Sequence, residues 1–281
     1  MSGTRSSAFW LCARLELRLA VRSRWTQTFA AVFAGLSLAV ASSGYILSGG
    51  RGLQDFARTS ASLVQLVLLL VPLASLVFGV MGLTQDAGAA ELLFSQPIAR
   101  RTILAGRLTG MFGALAASQA IGFGASGLVI FARTGQEGIG AFVGVVAGSL
   151  ALTAVFLSLA AAIAGGDTSH GRTRSLAIAL VCWFAAVVLF DIAALGVASL
   201  LPSGPASRVL MTGAIVNPVD AVRTATLLLV EGTSAFGGAS LAFLRFTGGP
   251  WGATLWPAAS LVAWTIVLLA LGSSRLTKAD L

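Results

Sequence analysis

Apolar residues occur along this chain in long runs that charged residues rarely interrupt. Six runs reach the roughly 20 residues that a helix needs to cross about 30 Å of hydrocarbon at 1.5 Å per residue. They lie at about 27–48, 61–83, 104–131, 139–165, 176–200 and 253–272. The pattern predicts an all-α integral membrane protein with six transmembrane helices.

Basic residues are divided unequally between the two sides of these spans. The side that holds both chain ends carries Arg5, Arg14, Arg18, Arg22, Arg24, Arg100, Arg101, Arg107, Arg172, Arg174, Arg275 and Lys278, and the other side carries Arg51, Arg58, Arg133, Arg208, Arg223 and Arg245. Cytosolic loops of membrane proteins carry the excess of Lys and Arg. We therefore expect cytosolic N- and C-termini, a transmembrane domain over 27–272 and a cytosolic tail over 273–281.

The composition agrees with a lipid environment and removes several classes of function. Of the 281 residues, 57% are hydrophobic and 10% are charged, against roughly a quarter charged in a soluble domain. The net charge of +8 is the topology signal, so no nucleic acid is expected as a partner. The only lysine, Lys278, follows Thr277, which excludes a phosphate-binding loop with a Gly-Lys pair. The only histidine, His170, excludes a histidine-based metal cluster within one chain.

An intramembrane enzyme is an alternative that the sequence disfavours. Such an enzyme needs several ionisable groups at one depth, whereas Asp191 is the only acid inside a predicted span. We therefore assign no catalytic residue. Asp191 lies about 25 Å along its helix from Arg174, close to the outer boundary. It is either a functional residue or a structural partner of an outer arginine, Arg208 or Arg223, and the sequence leaves both open.

The N-terminal segment 1–26 is predicted to hold an amphipathic helix. Two neighbouring stripes at helical spacing define it, Arg14, Arg18 and Arg22 on one and Trp10, Leu17 and Val21 on the other. A helix of this kind suits the cytosolic membrane interface, where arginines reach lipid phosphates. A solvated basic tail is the alternative.

Small residues recur every four positions in the third and fourth spans. The stripes consist of Gly106, Gly110, Ala114, Ser118, Gly122 and Ser126 in the third span, and of Gly140, Gly144 and Gly148 in the fourth. Small side chains let a neighbouring helix backbone approach closely. We interpret the stripes as helix-packing faces, with a transport path as the alternative.

The cytosolic loop between the second and third spans is predicted to contain a short helix at about 86–97. Its residues are Asp86 and Glu91 near the N-terminal end, then Leu92, Leu93 and Phe94, with Pro97 ending it and Arg100 leading into the third span. Acidic residues suit a helix N-terminus, and proline disfavours continuation. A helix fixed between two spans can transmit movement to both, and a plain connecting turn is the alternative.

The outer loop, about 201–252, contains a second local signal. Asn217 is a good N-cap, Pro218 suits the first helical position, and Asp220 and Arg223 are spaced to pair. The helix that follows ends near Glu231 and is about 15 Å long, too short to span. We expect it to lie on the outer face, where a partner or a substrate meets it.

These residues resemble known ABC-2 type permeases. The run from Arg100 to Arg107 (RRTILAGR) resembles the loop after the coupling helix of that family. The residues similar to the NosY family in particular are Trp183, Phe184, Leu189, Phe190, Asp191, Asn217, Pro218, Asp220, Arg223, Glu231, Gly232, Ala239, Ser240 and Leu241. NosY permeases belong to the copper-processing ABC complex that matures nitrous oxide reductase. One departure is the lead QDAGAA at 85–90, where an acidic-Gly-Gly-Thr lead is common in that family; this departure affects the register of the ATPase contact.

The resemblance implies an ABC-2 permease fold in the bacterial cytoplasmic (inner) membrane and a role as a transporter subunit. It implies a homodimer of this chain, two cytosolic NosF-like ATPase subunits that bind ATP and Mg²⁺, and a periplasmic NosD-like protein, besides membrane lipids. It identifies 86–97 as the coupling helix. An ABC-2 exporter of another substrate, such as a lipid or a drug, remains the alternative.

Copper binding by this chain itself is not expected. Cu(I) prefers sulfur ligands, and the outer loop holds only Met211 and neither Cys nor His. Met81, Met111 and Cys182 fall near the cytosolic boundary of three spans, where they can form a soft entry site. Packing in the core is the more ordinary role of such residues.

Overall fold

The computed structural model describes residues 2–48, 53–84, 99–134, 138–164, 171–232 and 237–278. These residues form eleven α-helices, numbered in chain order. They are α1 Ser2–Arg22, α2 Arg24–Ser48, α3 Leu53–Leu83, α4 Arg100–Thr134, α5 Ile139–Ala164, α6 Gly171–Phe184, α7 Phe190–Ser199, α8 Ser203–Val216, α9 Pro218–Glu231, α10 Gly238–Thr247 and α11 Pro250–Lys278. A π-helical turn, Ala185–Leu189, joins α6 to α7. The predicted coupling helix, 86–97, lies outside the described residues.

Six stretches are long and apolar enough to cross a membrane. They are Arg24–Ser43, Thr59–Leu83, Arg100–Ala132, Ile139–Ala164, Gly171–Ser199 and Pro250–Leu276. Each predicted span overlaps one of them, and the described residues are helical or connect helices. The predicted all-α class is confirmed for the described residues, and each of the six predicted spans corresponds to a helical stretch of sufficient length and hydropathy.

α5 lies at the centre of the bundle. It contacts α3 and α11 most extensively, and it also contacts α4 and α9. Its buried side chains include Leu152, Val155 and Phe156. Lipid tails are as apolar as these side chains, so close packing and interhelical hydrogen bonds, rather than escape from water, stabilise such a bundle.

A buried polar network links α4 to α5. Gln119 donates from Nε2 to Thr153 Oγ1 at 2.7 Å, and Ser149 Oγ donates to Gln119 Oε1 at 2.7 Å. All three side chains are fully buried. Because each finds a partner, the network joins the two spans without leaving its polar atoms unsatisfied.

The small-residue stripe of α4 is a packing face. A Cβ atom at Gly110 would lie 2.5 Å from the carbonyl oxygen of Ala13 in α1, and one at Gly106 would lie 2.7 Å from Cys12 Cβ. At Gly122 the same atom would lie 2.5 Å from the ring of Phe33 in α2. The other members, Ala114, Ser118 and Ser126, are buried. Glycine is therefore what lets α1 and α2 lie directly against α4.

The stripe of α5 packs over only part of its length. Cβ atoms at Gly144 and Gly148 would each lie 2.7 Å from a side chain of α9, Leu229 and Val222 respectively. At Gly140 nothing described lies within 4 Å. Gly140 thus has no close neighbour among the described residues, and its predicted packing role stays a prediction.

The N-terminal segment is helical as predicted and lies along α4. Ala13 and Ala20 are buried in that contact, whereas the side chains of Arg14, Arg18 and Arg22 are exposed. Trp10 is exposed as well. The position of this helix in the membrane interface stays a prediction.

The predicted outer loop, 201–252, is corrected by the structure. It holds three helices, α8, α9 and α10, where the sequence predicted one. α8 and α9 meet at Asn217 with a bend of 98°, and each is about 21 Å long, less than the hydrocarbon thickness. α9 packs against α3, α5 and α11, so it lies within the bundle rather than free on an outer face.

Candidate functional site

The site forms where the fifth span approaches α9. The span runs from Gly171 to Ser199 through the π-helical turn, in which Phe190 N–H donates to the carbonyl oxygen of Ala185, five residues earlier. Such turns widen a helix and occur often at functional sites. This turn places Asp191 in the first turn of α7, facing α9.

Asn217 connects the start of α9 to the π-helical turn. Its side-chain oxygen accepts a hydrogen bond from Val219 N–H at 3.2 Å, which confirms the predicted N-cap with Pro218 following it. Its Nδ2 group donates to the carbonyl oxygen of Ala186 and to Asp220 Oδ2, both at 2.8 Å. The Asn217 amide therefore caps the N-terminus of α9, satisfies a carbonyl of the π-helical turn and orients the Asp220 carboxylate.

Arg223 holds the two carboxylates of the site. Its Nη1 atom lies 2.7 Å from Asp191 Oδ2 and 2.7 Å from Asp220 Oδ1. The predicted pairing of Asp220 with Arg223 is confirmed, and of the two arginines proposed for Asp191 the structure selects Arg223 over Arg208. Nitrogen–oxygen bonds of this length between charged groups are among the stronger hydrogen bonds in proteins.

A cavity of about 290 Å³ lies beside this ion-pair cluster. Its walls are formed by Phe190, Asp191, Ala194, Leu195, Leu210, Gly213, Ala214, Asp220, Arg223 and Thr224. The Asp191 side chain is 38% exposed and that of Asp220 is 9% exposed, so Asp191 is the more accessible carboxylate. Charge on one wall and apolar surface on the others suit a small molecule with a polar group or a cluster of water molecules.

Most of the predicted outer-face residues are packed into the bundle. As whole residues Asn217 and Asp220 are 4% and 6% exposed, and Pro218 is buried too, so these side chains contact neighbouring helices. Glu231 is the last residue of α9, about 12 Å along the helix from Arg223. Contact of these residues with an outer partner or a substrate stays a prediction.

The structure gives the arginines at the predicted cytosolic ends a role that the sequence did not reveal. Arg100 donates to the carbonyl oxygen of Leu276, Arg172 to that of Thr84, and Arg275 to that of Ala162. Each arginine thus satisfies a carbonyl at or just beyond the end of another helix, where intrahelical partners run out. The sequence showed these residues only as a charge asymmetry.

Glu16 is a residue that the sequence analysis missed. It pairs with Arg107 across 91 residues of chain. A single acid among the arginines of the N-terminal helix was the available signal. The topology prediction counts only basic residues, and for that reason it did not consider Glu16.

Among the residues that the structure describes, no group of three or more His, Cys, Asp or Glu side chains is placed to hold a metal ion. Met111 is fully buried beside Leu104, Leu108 and Leu115, and its methyl group fills the space over Gly82. Met111 is therefore a core residue, and a soft site shared with Met81 and Cys182 stays a prediction.

Comparisons with known proteins agree with the architecture. The sequence profile of the ABC-2 family transporter proteins matches residues 10–281. The chain is 32% identical over 273 residues to the probable ABC transporter permease protein NosY of Pseudomonas aeruginosa, covering 95% of this chain and 97% of that protein. It is 31% identical over 274 residues to the probable ABC transporter permease protein NosY of Stutzerimonas stutzeri, covering 95% of each chain.

Proposed function

We propose a specific role on the premise that this chain belongs to the ABC-2 family of transporter proteins. In this proposal the chain is the permease subunit of an ABC complex, and the complex matures the copper site of nitrous oxide reductase. The chain is a multi-pass membrane protein, an ABC-2 permease similar to NosY. The observation that carries the specific role is similarity to NosY over 95% of the chain. Support comes from the motif Asn217, Pro218, Asp220 and Arg223, which forms one polar site with Asp191.

The chemistry of ATP belongs to other subunits in this proposal. The sole lysine, Lys278, is not part of a phosphate-binding loop, so ATP and Mg²⁺ bind to two cytosolic NosF-like ATPases. They act on a homodimer of this chain through the coupling helix at 86–97. A periplasmic NosD-like protein receives the movement or the cargo on the outer side. Both termini lie in the cytosol.

The permease transmits force or moves a cargo that needs no copper ligand from this chain. The wall of the cavity carries Asp191, Asp220 and Arg223 rather than sulfur, and Cu(I) prefers thiolate and thioether ligands. Copper is thus handled by partner proteins, while this chain couples ATP hydrolysis to an event on the outer side. The alternative, export of a lipid or drug by an ABC-2 permease, rests on the family alone.

Deletion of the gene in its own host tests the proposal. We expect nitrous oxide reduction to be lost and the purified reductase to lack its copper, while reduction of nitrate to nitrous oxide continues. Complementation with the intact gene is the control. Normal copper content in the reductase of the deletion strain would refute the role in maturation and favour the exporter alternative.

A further inference from the structure

A nearly buried ion pair joins α1 to the N-terminal part of α4. Segment 85–98, which precedes α4, lies outside the described residues. Arg107 Nε lies 3.0 Å from Glu16 Oε2, and the two side chains are only 11% and 14% exposed. By contrast, the side chains of Arg14, Arg18 and Arg22 in α1 are exposed. Burial of two charges is costly unless their geometry and further hydrogen bonds compensate, so this pair differs from an ordinary surface pair.

Arg107 also binds a third helix. Its Nη2 group donates to the carbonyl oxygen of Gly82, in the last turn of α3. α3 ends at Leu83, and the chain returns from segment 85–98 at Ala99 to begin α4 at Arg100. Arg107, two turns into α4, therefore ties both helices that flank this segment to Glu16 of α1.

Glycines bring α1 close enough for the pair to form. A Cβ atom at Gly110 would lie 2.7 Å from Glu16 Cβ and 2.8 Å from the backbone nitrogen of Leu17. At Gly106 it would lie 2.9 Å from the carbonyl oxygen of Phe9. The ion pair thus sits within a backbone-to-backbone contact, which leaves its two side chains little freedom to separate.

We infer that Glu16 and Arg107 are positioning residues that make α1, α3 and α4 move together when the ATPase acts on segment 85–98. The inference rests on the proposed function, in which that segment contacts the ATPase. Three helices that meet at one guanidinium transmit a displacement as a unit, whereas without the pair only the packing at Gly106 and Gly110 couples α1 to α4. α1 then serves as a moving part of the permease and not only as an anchor.

Cys12 reports this movement directly, because its Cβ lies against Gly106 in the α1–α4 contact. The experiment uses the intact complex with its ATPase subunits in a Cys182→Ser background, so that Cys12 is the permease's one thiol. Maleimide labelling of Cys12 is measured without nucleotide and after trapping with ATP and vanadate. The variant is Glu16→Gln, and Arg14→Gln on the exposed face of the same helix is the matched control.

In the Cys182→Ser background with an intact Glu16–Arg107 pair, and in Arg14→Gln made in that background, we expect trapping to leave the labelling rate of Cys12 unchanged. In Glu16→Gln, we expect trapping to raise it by about tenfold or more, since loss of a buried charge partner favours local opening. The double variant Glu16→Arg with Arg107→Glu is expected to restore protection. Its arginine can replace the bond to Gly82, since Glu16 Oε1 lies 3.9 Å from the Cβ position of that glycine.

Labelling of Glu16→Gln that matches Arg14→Gln in both states would overturn the inference alone. So would a defect in Glu16→Gln, in labelling or in assembly, that the double variant does not repair. Absence of any ATPase from the purified complex would instead overturn the proposed function, and the inference with it. ATP hydrolysis per complex is measured in parallel, and we expect Glu16→Gln to keep it, because the pair lies outside any ATP site.

Discussion

Two glycines of α4 offer a matched test of the packing between α1 and α4. A Cβ atom at Gly110 would lie 2.5 Å from the carbonyl oxygen of Ala13 and 2.8 Å from the backbone nitrogen of Leu17, and backbone atoms cannot rotate away. At Gly124 in the same helix, nothing described lies within 4 Å of that position. Gly110→Ala and Gly124→Ala thus add the same methyl group to the same helix in opposite surroundings.

The expected energies differ in sign. Restoring ordinary contact at Gly110 requires α1 to retreat by about 0.9 Å, and overpacking of this kind costs about 1–3 kcal/mol. The retreat also weakens the bond between Arg107 and Glu16, and alanine returns up to about 1 kcal/mol through its helix propensity. We expect Gly110→Ala to lose about 1–2 kcal/mol and Gly124→Ala to gain up to about 1 kcal/mol, so the two differ by about 1–3 kcal/mol.

The measurement is reversible unfolding in mixed micelles titrated with sodium dodecyl sulfate, which gives the free energy of unfolding of each variant. Thermal melting of the purified permease serves as a second readout. Equal stability of the two variants would refute the reasoning, because it would mean that α1 does not lie in backbone contact with Gly110. A loss at Gly124 as large as the loss at Gly110 would do the same.

The remaining predictions concern the polar contacts. Asn217→Ala is expected to lower the free energy of unfolding by about 1–2 kcal/mol, because the N-cap is lost. Asn217→Asp keeps the cap acceptor but not the donors to Ala186 and Asp220, so it is also expected to lower the melting temperature. Full stability of Asn217→Asp would contradict those two bonds. Double-mutant cycles with Arg223→Gln and Asp191→Asn are expected to give a coupling of about 0.5–3 kcal/mol in the unfolding free energy, and additive effects would argue against the ion pair. Asp191→Asn alone, scored by the copper content of nitrous oxide reductase, separates the two interpretations of this carboxylate: assembly without maturation identifies a functional group. Gln119→Leu is expected to cost about 1 kcal/mol in the same titration, and no change would mean that its two bonds contribute nothing.

Local features of this protein were readable from its sequence. The six spans follow from uncharged runs, since a residue's preference for lipid does not depend on which helix lies beside it. The N-cap at Asn217 and the pair of Asp220 with Arg223 span only a few residues, so helix geometry alone predicts them. The stripe through Gly106 and Gly110 likewise marks a close contact, although it does not say with which helix.

Tertiary structure decided which elements meet. Asp191 and Arg223 are 32 residues apart, and two arginines were equally possible partners until the π-helical turn aimed the carboxylate at α9. The pair of Glu16 with Arg107 and the burial of α9 beneath α5 depend in the same way on helices that are distant in sequence. The sequence did not predict α8 and α10, because short helices owe most of their stability to packing rather than to their own helix propensity. Hydropathy and capping act within a few turns of chain, whereas ion pairs and glycine contacts depend on distance in space, which the packed bundle alone determines.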